Sequence, residues 1–363
     1  MAAYLHYVAT AVPEARYDQA EALDIMLGWV GGERRTDRLL RQVYTRSGID
    51  RRYSVVGDFK NGSPSGFYFD GERYLTPSTG TRNERYTRES PVLLTRVARR
   101  ALRGCPGLSA ADVTHVITVS CTGFFAPGPD YLVVRSLGLP VSTRRYHLGF
   151  MGCCAALPAL RMARDICLAD SNSVVLIACL ELCSLHLNPT REPDNVVATA
   201  VFADGASAAV VSAREPLAKA FRLEAFETAV APESEQDMTW TIGDAGFEMT
   251  LSSYVPVVIE GNLRASVAPL LDRSALPVKD IDLWAVHPGG RAVLDKVEAS
   301  LELEPDNLAA SRSVLRDYGN MSSATLLFIV RRLLEKDPGQ GQRALALAFG
   351  PGLTVESGVL TVV

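Results

Sequence analysis

The sequence predicts an α/β fold made of two related halves. Three observations carry that reading. Short apolar runs alternate with longer segments of helical period, the mark of βα units. The same order of elements recurs in the second half. The 363-residue chain is 47% hydrophobic, enough to bury a core of double-domain size.

In chain order, residues 58–82 (DFKNGSPSGFYFDGERYLTPSTGTR) have little helical period and read as a long surface loop. Residues 113–120 (VTHVITVS) read as a buried strand. Residues 155–168 read as a helix, with Leu157, Leu160, Arg164 and Cys167 at helical spacing. Arg161 and Asp165 lie four apart in it, as a supporting ion pair would. Residues 174–178 and 206–212 (ASAAVVS) read as two further strands. The second half repeats the plan. Residues 283–286 form a strand ending at His287, and residues 322–335 a helix with Leu326, Leu327, Val330, Leu333 and Leu334 on one face. Residues 344–349 and 355–363 are the closing strands. The boundary falls near residues 214–222, giving an N-terminal half, 1–213, and a C-terminal half, 214–363.

Composition excludes several functions. The net charge of −4 leaves no basic footprint for nucleic acid. The seven cysteines, at 105, 121, 153, 154, 167, 179 and 183, show no paired C-x-x-C spacing, and the five histidines lack ligand spacing, so no metal is expected. An odd cysteine count in apolar runs fits a reducing, cytoplasmic compartment. Residues 1–17 have no signal-peptide pattern. No apolar stretch reaches the ~20 residues of a membrane span, and Glu181 interrupts the run 174–187. A soluble protein is expected.

Three segments carry chemistry. Gly152-Cys153-Cys154 places a thiol just before a helix-patterned segment, where the helix dipole is expected to lower its pKa. Pro158 would then sit in the first turn, where a missing N–H is tolerated. Cys154 is the rival nucleophile, and both thiols are also compatible with plain packing. His287-Pro288-Gly289-Gly290 ends a strand and turns sharply, which exposes a side chain at a strand tip. Asn320, in residues 318–323 (YGNMSS), precedes a helix. A capping role would use its oxygen and leave the amide N–H₂ free. Thiol, imidazole and carboxamide together suit acyl transfer and thioester condensation. Residues 349–354 (FGPGLT) form a rigid turn shaping a cavity wall, and no dinucleotide or phosphate loop is present.

These motifs, with Phe202-Ala203-Asp204-Gly205, residues 312–323 (RSVLRDYGNMSS) and residues 350–356 (GPGLTVE), resemble the type III polyketide synthases, the chalcone synthase-like branch of the thiolase superfamily. The resemblance runs from about Tyr44 to the C-terminus. Ketoacyl synthase III also uses Cys, His and Asn, but its His motif typically continues Gln-Ala-Asn. The resemblance implies a homodimer of five-layered αβαβα thiolase-fold subunits. It implies acyl-CoA and malonyl-CoA as substrates and no metal or organic cofactor. Cys153 matches the nucleophile, His287 the imidazole, Asn320 the amide donor and Phe202 the gatekeeper. Cys121, Thr122, Cys183, His186, Trp240 and Met249 stand at cavity positions, and Ser322, Gly350 and Pro351 complete the substrate-facing set. Arg38, Arg41 and Arg46 are candidates for the CoA phosphates, with a solvated helix face as the alternative.

The chain departs from the plant pattern. Ala155-Ala156-Leu157 replaces Ala-Gly-Gly after the nucleophile, and Trp240 stands where plant members have Gly. Residues 120–124 (SCTGF) look like the bacterial branch, including makers of naphthalenes and phloroglucinols. Residues 81–88 (TRNERYTR) and 240–247 (WTIGDAGF) look like bacterial members that extend fatty acyl starters. The expected reaction is iterative decarboxylative condensation onto a starter held by Cys153, then cyclisation to an alkylpyrone or alkylresorcinol. The alternatives are malonyl-primed naphthalene or phloroglucinol formation, a single-condensation ketoacyl synthase, and a non-catalytic interaction protein.

Overall fold

The computed structural model describes residues 2–60, 66–232, 234–252 and 254–363. The N-terminal half runs β1 (Tyr4–Ala11), β2 (Ala15–Asp18), α1 (Gln19–Val30), α2 (Arg34–Arg46), β3 (Arg51–Ser54), α3 (Thr79–Arg103), β4 (His115–Ser120), α4 (Pro129–Leu137), β5 (Arg144–Gly149), α5 (Ala156–Ala169), β6 (Val174–Leu182), α6 (Pro193–Val201) and β7 (Asp204–Ser212). The C-terminal half runs β8 (Phe221–Val230), β9 (Met238–Gly243), β10 (Gly246–Leu251), α7 (Val255–Arg273), β11 (Leu283–Val286), α8 (Arg291–Leu301), α9 (Ala309–Tyr318), α10 (Thr325–Glu335), β12 (Arg343–Gly350) and β13 (Thr354–Val362).

Nine strands join in one sheet, ordered β11-β12-β13-β8-β1-β7-β6-β4-β5. β4 pairs in parallel with β5 and β6, and β11 with β12. β6 and β7, and likewise β12 and β13, are antiparallel, so each half ends in antiparallel strands as expected.

Strand alternation builds the layers. Val175, Ile177 and Cys179 of β6 and Ala344, Ala346 and Ala348 of β12 face one central cluster with α5 and α10. The opposite face of β6, Val174, Leu176 and Ala178, packs on α3. The opposite face of β12, Leu345, Leu347 and Phe349, packs on α7 and α8. The order is α3, the β6 side of the sheet, α5 with α10, the β12 side of the same sheet, α7 with α8: the five layers of the thiolase fold. Alanines on the inner face of β12 leave room for the two central helices.

Two local expectations change. The loop reading of residues 58–82 holds for its described part only to Ser78, and residues 61–65 lie outside the described residues. Ser78 caps α3, its Oγ accepting the Thr81 N–H at 3.2 Å, so Thr79 to Arg82 are helical. Arg161 does not pair with Asp165. It reaches Glu356 at 3.5 Å and donates to Thr228, because its face of α5 lies against β8 and β13. Asp165 takes Arg164 instead, at 3.0 Å.

Candidate active site

Gly152 makes the nucleophile turn. Its φ of 67° lies in the left-handed region, and a Cβ there would sit 2.5 Å from Pro351 Cδ. Residues Gly152–Cys154 form a single 3-10 turn leading into α5, with Pro158 in the first turn of that helix. Cys153 is 8% exposed and faces a cavity of about 780 Å³. Its Sγ lies 3.5 Å from Ser322 Oγ and 3.9 Å from Asn320 Oδ1. Cys154 does not line this cavity. Its sulfur turns back to the Met151 carbonyl oxygen at 3.2 Å and lies under Gly350, where a Cβ would come within 2.4 Å of it.

His287 follows β11, its backbone N–H donating to Leu347 O at 2.8 Å. The ring lines the cavity, and neither ring nitrogen has a hydrogen-bond partner among the described residues. Asn320 is held by its backbone, which pairs with Phe202: Asn320 N–H donates to Val201 O and Ala203 N–H to Asn320 O, both at 2.8 Å. Its Oδ1 accepts the Ser322 N–H at 2.8 Å, a local turn rather than the expected helix cap, since Met321 stands at the N-cap position of the turn that follows. Its Nδ2 is not wholly free, because it donates to Gly289 O at 3.3 Å. One amide hydrogen remains for a substrate oxygen.

Burial sets the resting charges. It pushes the Cys153 thiol up to about 11, against the expected lowering, with the Ser322 hydrogen bond the main opposing influence. It pulls His287 down to about 3. Taken singly, both groups rest neutral. A proton passed from sulfur to imidazole would leave two opposite charges, each supporting the other.

Cys121, Thr122, Cys183, His186, Phe202, Trp240, Met249, Ser322 and Pro351 line the same cavity, as expected. Gly350 does not. It sits behind the nucleophile turn, where only hydrogen fits over Cys154. Arg38, Arg41 and Arg46 also lie outside it, exposed on α2. The buried face of α2, Leu40 and Tyr44, packs on Val196 and Ala200 of α6, and α6 supplies Val197 and Ala198 to the cavity wall.

Three features went unread in the sequence. Glu181, noted only as a break in an apolar run, is fully buried and accepts from Cys121 N and Thr122 Oγ1 at 3.0 Å and from Ser323 Oγ at 2.5 Å. Burial raises it to about 7. A lone carboxylate in a strand otherwise apolar was its signal. Phe247 stacks on His186 at 4.2 Å, and Trp240 stands edge-on to both. His186 Nε2–H donates to Thr122 O at 2.7 Å and Nδ1 accepts the Phe247 N–H at 3.0 Å, so the ring is a neutral wall, unavailable as a base. Finally, α6, β10 and α7 build an apolar side of the cavity around the expected Met249, adding Val197, Ala198, Leu251, Val255 and Ile259.

The chain matches two family models, the N-terminal domain of chalcone and stilbene synthases over residues 2–216 and the C-terminal domain over residues 223–363. The chain belongs to the chalcone and stilbene synthase family. Its class is the type III polyketide synthases, acyltransferases that condense thioesters. Among solved structures, PKS-I from the brown alga Ectocarpus siliculosus is 30% identical, with a TM-score of 0.91 over 100% of this chain and 98% of that one. The C-terminal type III polyketide synthase domain of Steely1, a type I/III hybrid from Dictyostelium, is 27% identical, with a TM-score of 0.91 and 99% of each chain covered. The 1,3,6,8-tetrahydroxynaphthalene synthase of Streptomyces coelicolor A3(2) is 29% identical, with a TM-score of 0.89 and 99% of each chain covered. A curated relative, probable polyketide synthase 1 of Dictyostelium discoideum, is 28% identical over 357 residues. Those are 96% of this chain but only 11% of that longer protein.

Proposed function

We propose that the protein extends an aliphatic acyl-CoA with malonyl-CoA and closes the product to an alkylpyrone or alkylresorcinol. The apolar wall of Val197, Ala198, Met249, Leu251, Val255 and Ile259 carries the choice of starter. Each methylene buried there contributes about 0.8 kcal/mol. Cys153 gives its proton to His287, and its sulfur attacks the starter thioester. The bond to the CoA sulfur breaks, and CoA leaves with that proton. Malonyl-CoA then places its thioester oxygen between His287 and Asn320. The carbon–carboxylate bond breaks, CO₂ departs and the electron pair moves onto that oxygen as an enolate, where one good donor is worth roughly 3 kcal/mol. The enolate carbon attacks the acyl-Cys153 thioester. The chain, two carbons longer, passes to the incoming CoA, and Cys153 is released as thiolate. These steps balance with no metal or organic cofactor.

A chain-length series of saturated acyl-CoAs, scored by kcat/KM, tests this reading. Efficiency should rise with chain length until the wall ends. A second reading, priming by malonyl-CoA toward a naphthalene, is favoured by the likeness to tetrahydroxynaphthalene synthase. A flat series, with one aromatic product from malonyl-CoA alone, would establish it instead.

Other assignments follow from the same reading. No Lys or Arg lines the cavity among the described residues, so the CoA phosphates are held outside it, and Arg38, Arg41 and Arg46 on α2 suit them. β5 is an edge strand with one side unpaired, and Phe124 and Phe150 are exposed. These features support a homodimer. All seven cysteines are free, which fits the cytoplasm. No helix among the described residues is long and apolar enough to cross a membrane.

A further inference from the structure

Arg82 is the one arginine of the described chain that is fully buried, at 1% exposure. No carboxylate among the described residues pairs with it. Its Nε donates to Pro77 O at 2.9 Å. Its Nη1 donates to Tyr68 Oη at 2.7 Å, Leu185 O at 2.6 Å and Leu187 O at 2.9 Å. Its Nη2 has no partner among the described residues. The guanidinium carbon stands 5.3 Å from the Tyr68 ring centroid, and Tyr68 Oη donates in turn to Ser184 O at 2.9 Å. Burying an uncompensated cation costs several kcal/mol, and a leucine-like side chain would fill an ordinary core site without that cost. The position of its acceptors explains the cation. Leu185 and Leu187 flank His186, in the turn that presents Cys183 and His186 to the cavity.

The same turn of α3 also grips the β9–β10 hairpin. Thr79 N–H donates to Asp244 O at 2.9 Å, Gly246 N–H donates to Thr79 Oγ1 at 2.8 Å, and Thr79 Oγ1 donates to Gly243 O. Gly246 has φ 112°, and a Cβ on it would lie 2.9 Å from Arg82 Nε. The hairpin carries Trp240 and Phe247, the two partners of His186, and the Trp240 indole N–H donates to Cys121 O at 2.6 Å. Arg82 therefore touches both segments of the aromatic wall while staying outside the cavity itself.

We infer that Arg82 is a positioning residue for product length: it fixes residues 183–187 against the β9–β10 hairpin, so that His186, Phe247 and Trp240 form one rigid wall at which the growing chain stops and folds. The inference rests on the polyketide-extension reading above. It separates chemistry at Cys153, His287 and Asn320 from the shape of the space they feed. Loosening the wall changes where extension ends and leaves loss of CO₂ alone.

The test uses the full-length enzyme with Arg82→Met, Arg82→Lys and Tyr68→Phe. Two readouts are taken: kcat and KM for CO₂ release from malonyl-CoA, and the ratio of products of different length by mass spectrometry. Arg82→Met should keep wild-type CO₂ release while the product ratio shifts by roughly tenfold, the scale on which a pocket discriminates one methylene. Arg82→Lys, which keeps a donor for the two leucine carbonyls, should restore part of the wild-type ratio. Tyr68→Phe removes one hydrogen-bonding hydroxyl and should shift the ratio in the same direction, less far. If Arg82→Met does not fold, Tyr68→Phe decides. An unchanged product ratio in a folded variant overturns the inference. So does CO₂ release that falls in step with condensation. A wild-type enzyme that releases no CO₂ at all refutes the condensation reading itself and is recognisable before any variant is made.

Discussion

The Asn320 amide nitrogen lies 4.0 Å from the Cys153 sulfur and 3.3 Å from the Gly289 carbonyl oxygen. One of its hydrogens is spoken for by the backbone, and the other looks toward the thiol. The carboxamide is thus fixed in orientation before any substrate arrives, which is the condition for a donor to favour the transition state. Asn320→Ala should slow CO₂ release from malonyl-CoA by roughly 10²–10³, the usual loss for one such donor. Stopped assays of CO₂ with a melting curve alongside check it. An unchanged rate would leave Asn320 with only its local turn contact to Ser322.

The thiol and imidazole can each be tested by alkylation. Iodoacetamide should modify Cys153 faster than a free thiol of the usual pKa, despite the burial that raises it, because His287 accepts the proton. His287→Ala should remove that advantage. Peptide mapping after acyl-CoA treatment should find the acyl group on Cys153, and Cys154→Ala should stay active. Acyl label on Cys154 would reverse the assignment.

Gly152→Ala should damage the site without touching a reacting group. The left-handed backbone costs an alanine about 1–2 kcal/mol. The contact with Pro351 forces the turn to move as well. A displacement of about 1 Å at the nucleophile costs on the order of 10²-fold in rate. Single-turnover acylation measures it, and a variant acylated at the wild-type rate would show that the turn is not tightly set.

His186 supplies a pH test of stability. Burial, with the Arg82 charge adding to it and the Thr122 hydrogen bond opposing, lowers it to about 4 from 6.5. Between those values the unfolded chain binds a proton at this residue and the folded chain does not. Its contribution is therefore complete above pH 6.5 and declines as pH falls toward 4. Wild type should lose stability relative to His186→Gln by roughly 1.4 kcal/mol per pH unit across that window. Urea unfolding at several pH values gives both curves, and parallel curves would mean that His186 titrates normally.

What the sequence made legible was local. Glycine beside a thiol, Pro-Gly-Gly after an apolar run and Asn ahead of a helix pattern are each decided within a few residues, and the three side chains that line one cavity were picked out that way. Contacts across the fold were not legible. Arg161 has a neighbour of opposite charge four residues on, yet prefers Glu356, which only sheet packing brings near. Gly350 and Pro351 are adjacent, but β12 ends at Gly350, under Cys154, and the turn that follows carries Pro351 into the cavity. The buried charge of Arg82 looked like one more arginine in a polar segment. The thiol's pKa was misjudged because a helix start is visible in sequence and desolvation is not.

The two backbone hydrogen bonds of Asn320, to Val201 and Ala203 on either side of Phe202, cross from one half of the chain to the other. Glu181 and Ser323 make a second such crossing. Phe202, the Asn320 carboxamide and the buried Glu181 carboxylate are therefore stitched along a single seam, although the halves descend from separate runs of sequence. Anyone recombining this enzyme with a relative at residues 214–222 would keep each half intact and still inherit a mismatched seam. Chimeras should regain turnover only when residues 181, 201–203 and 320–323 are taken from the same parent.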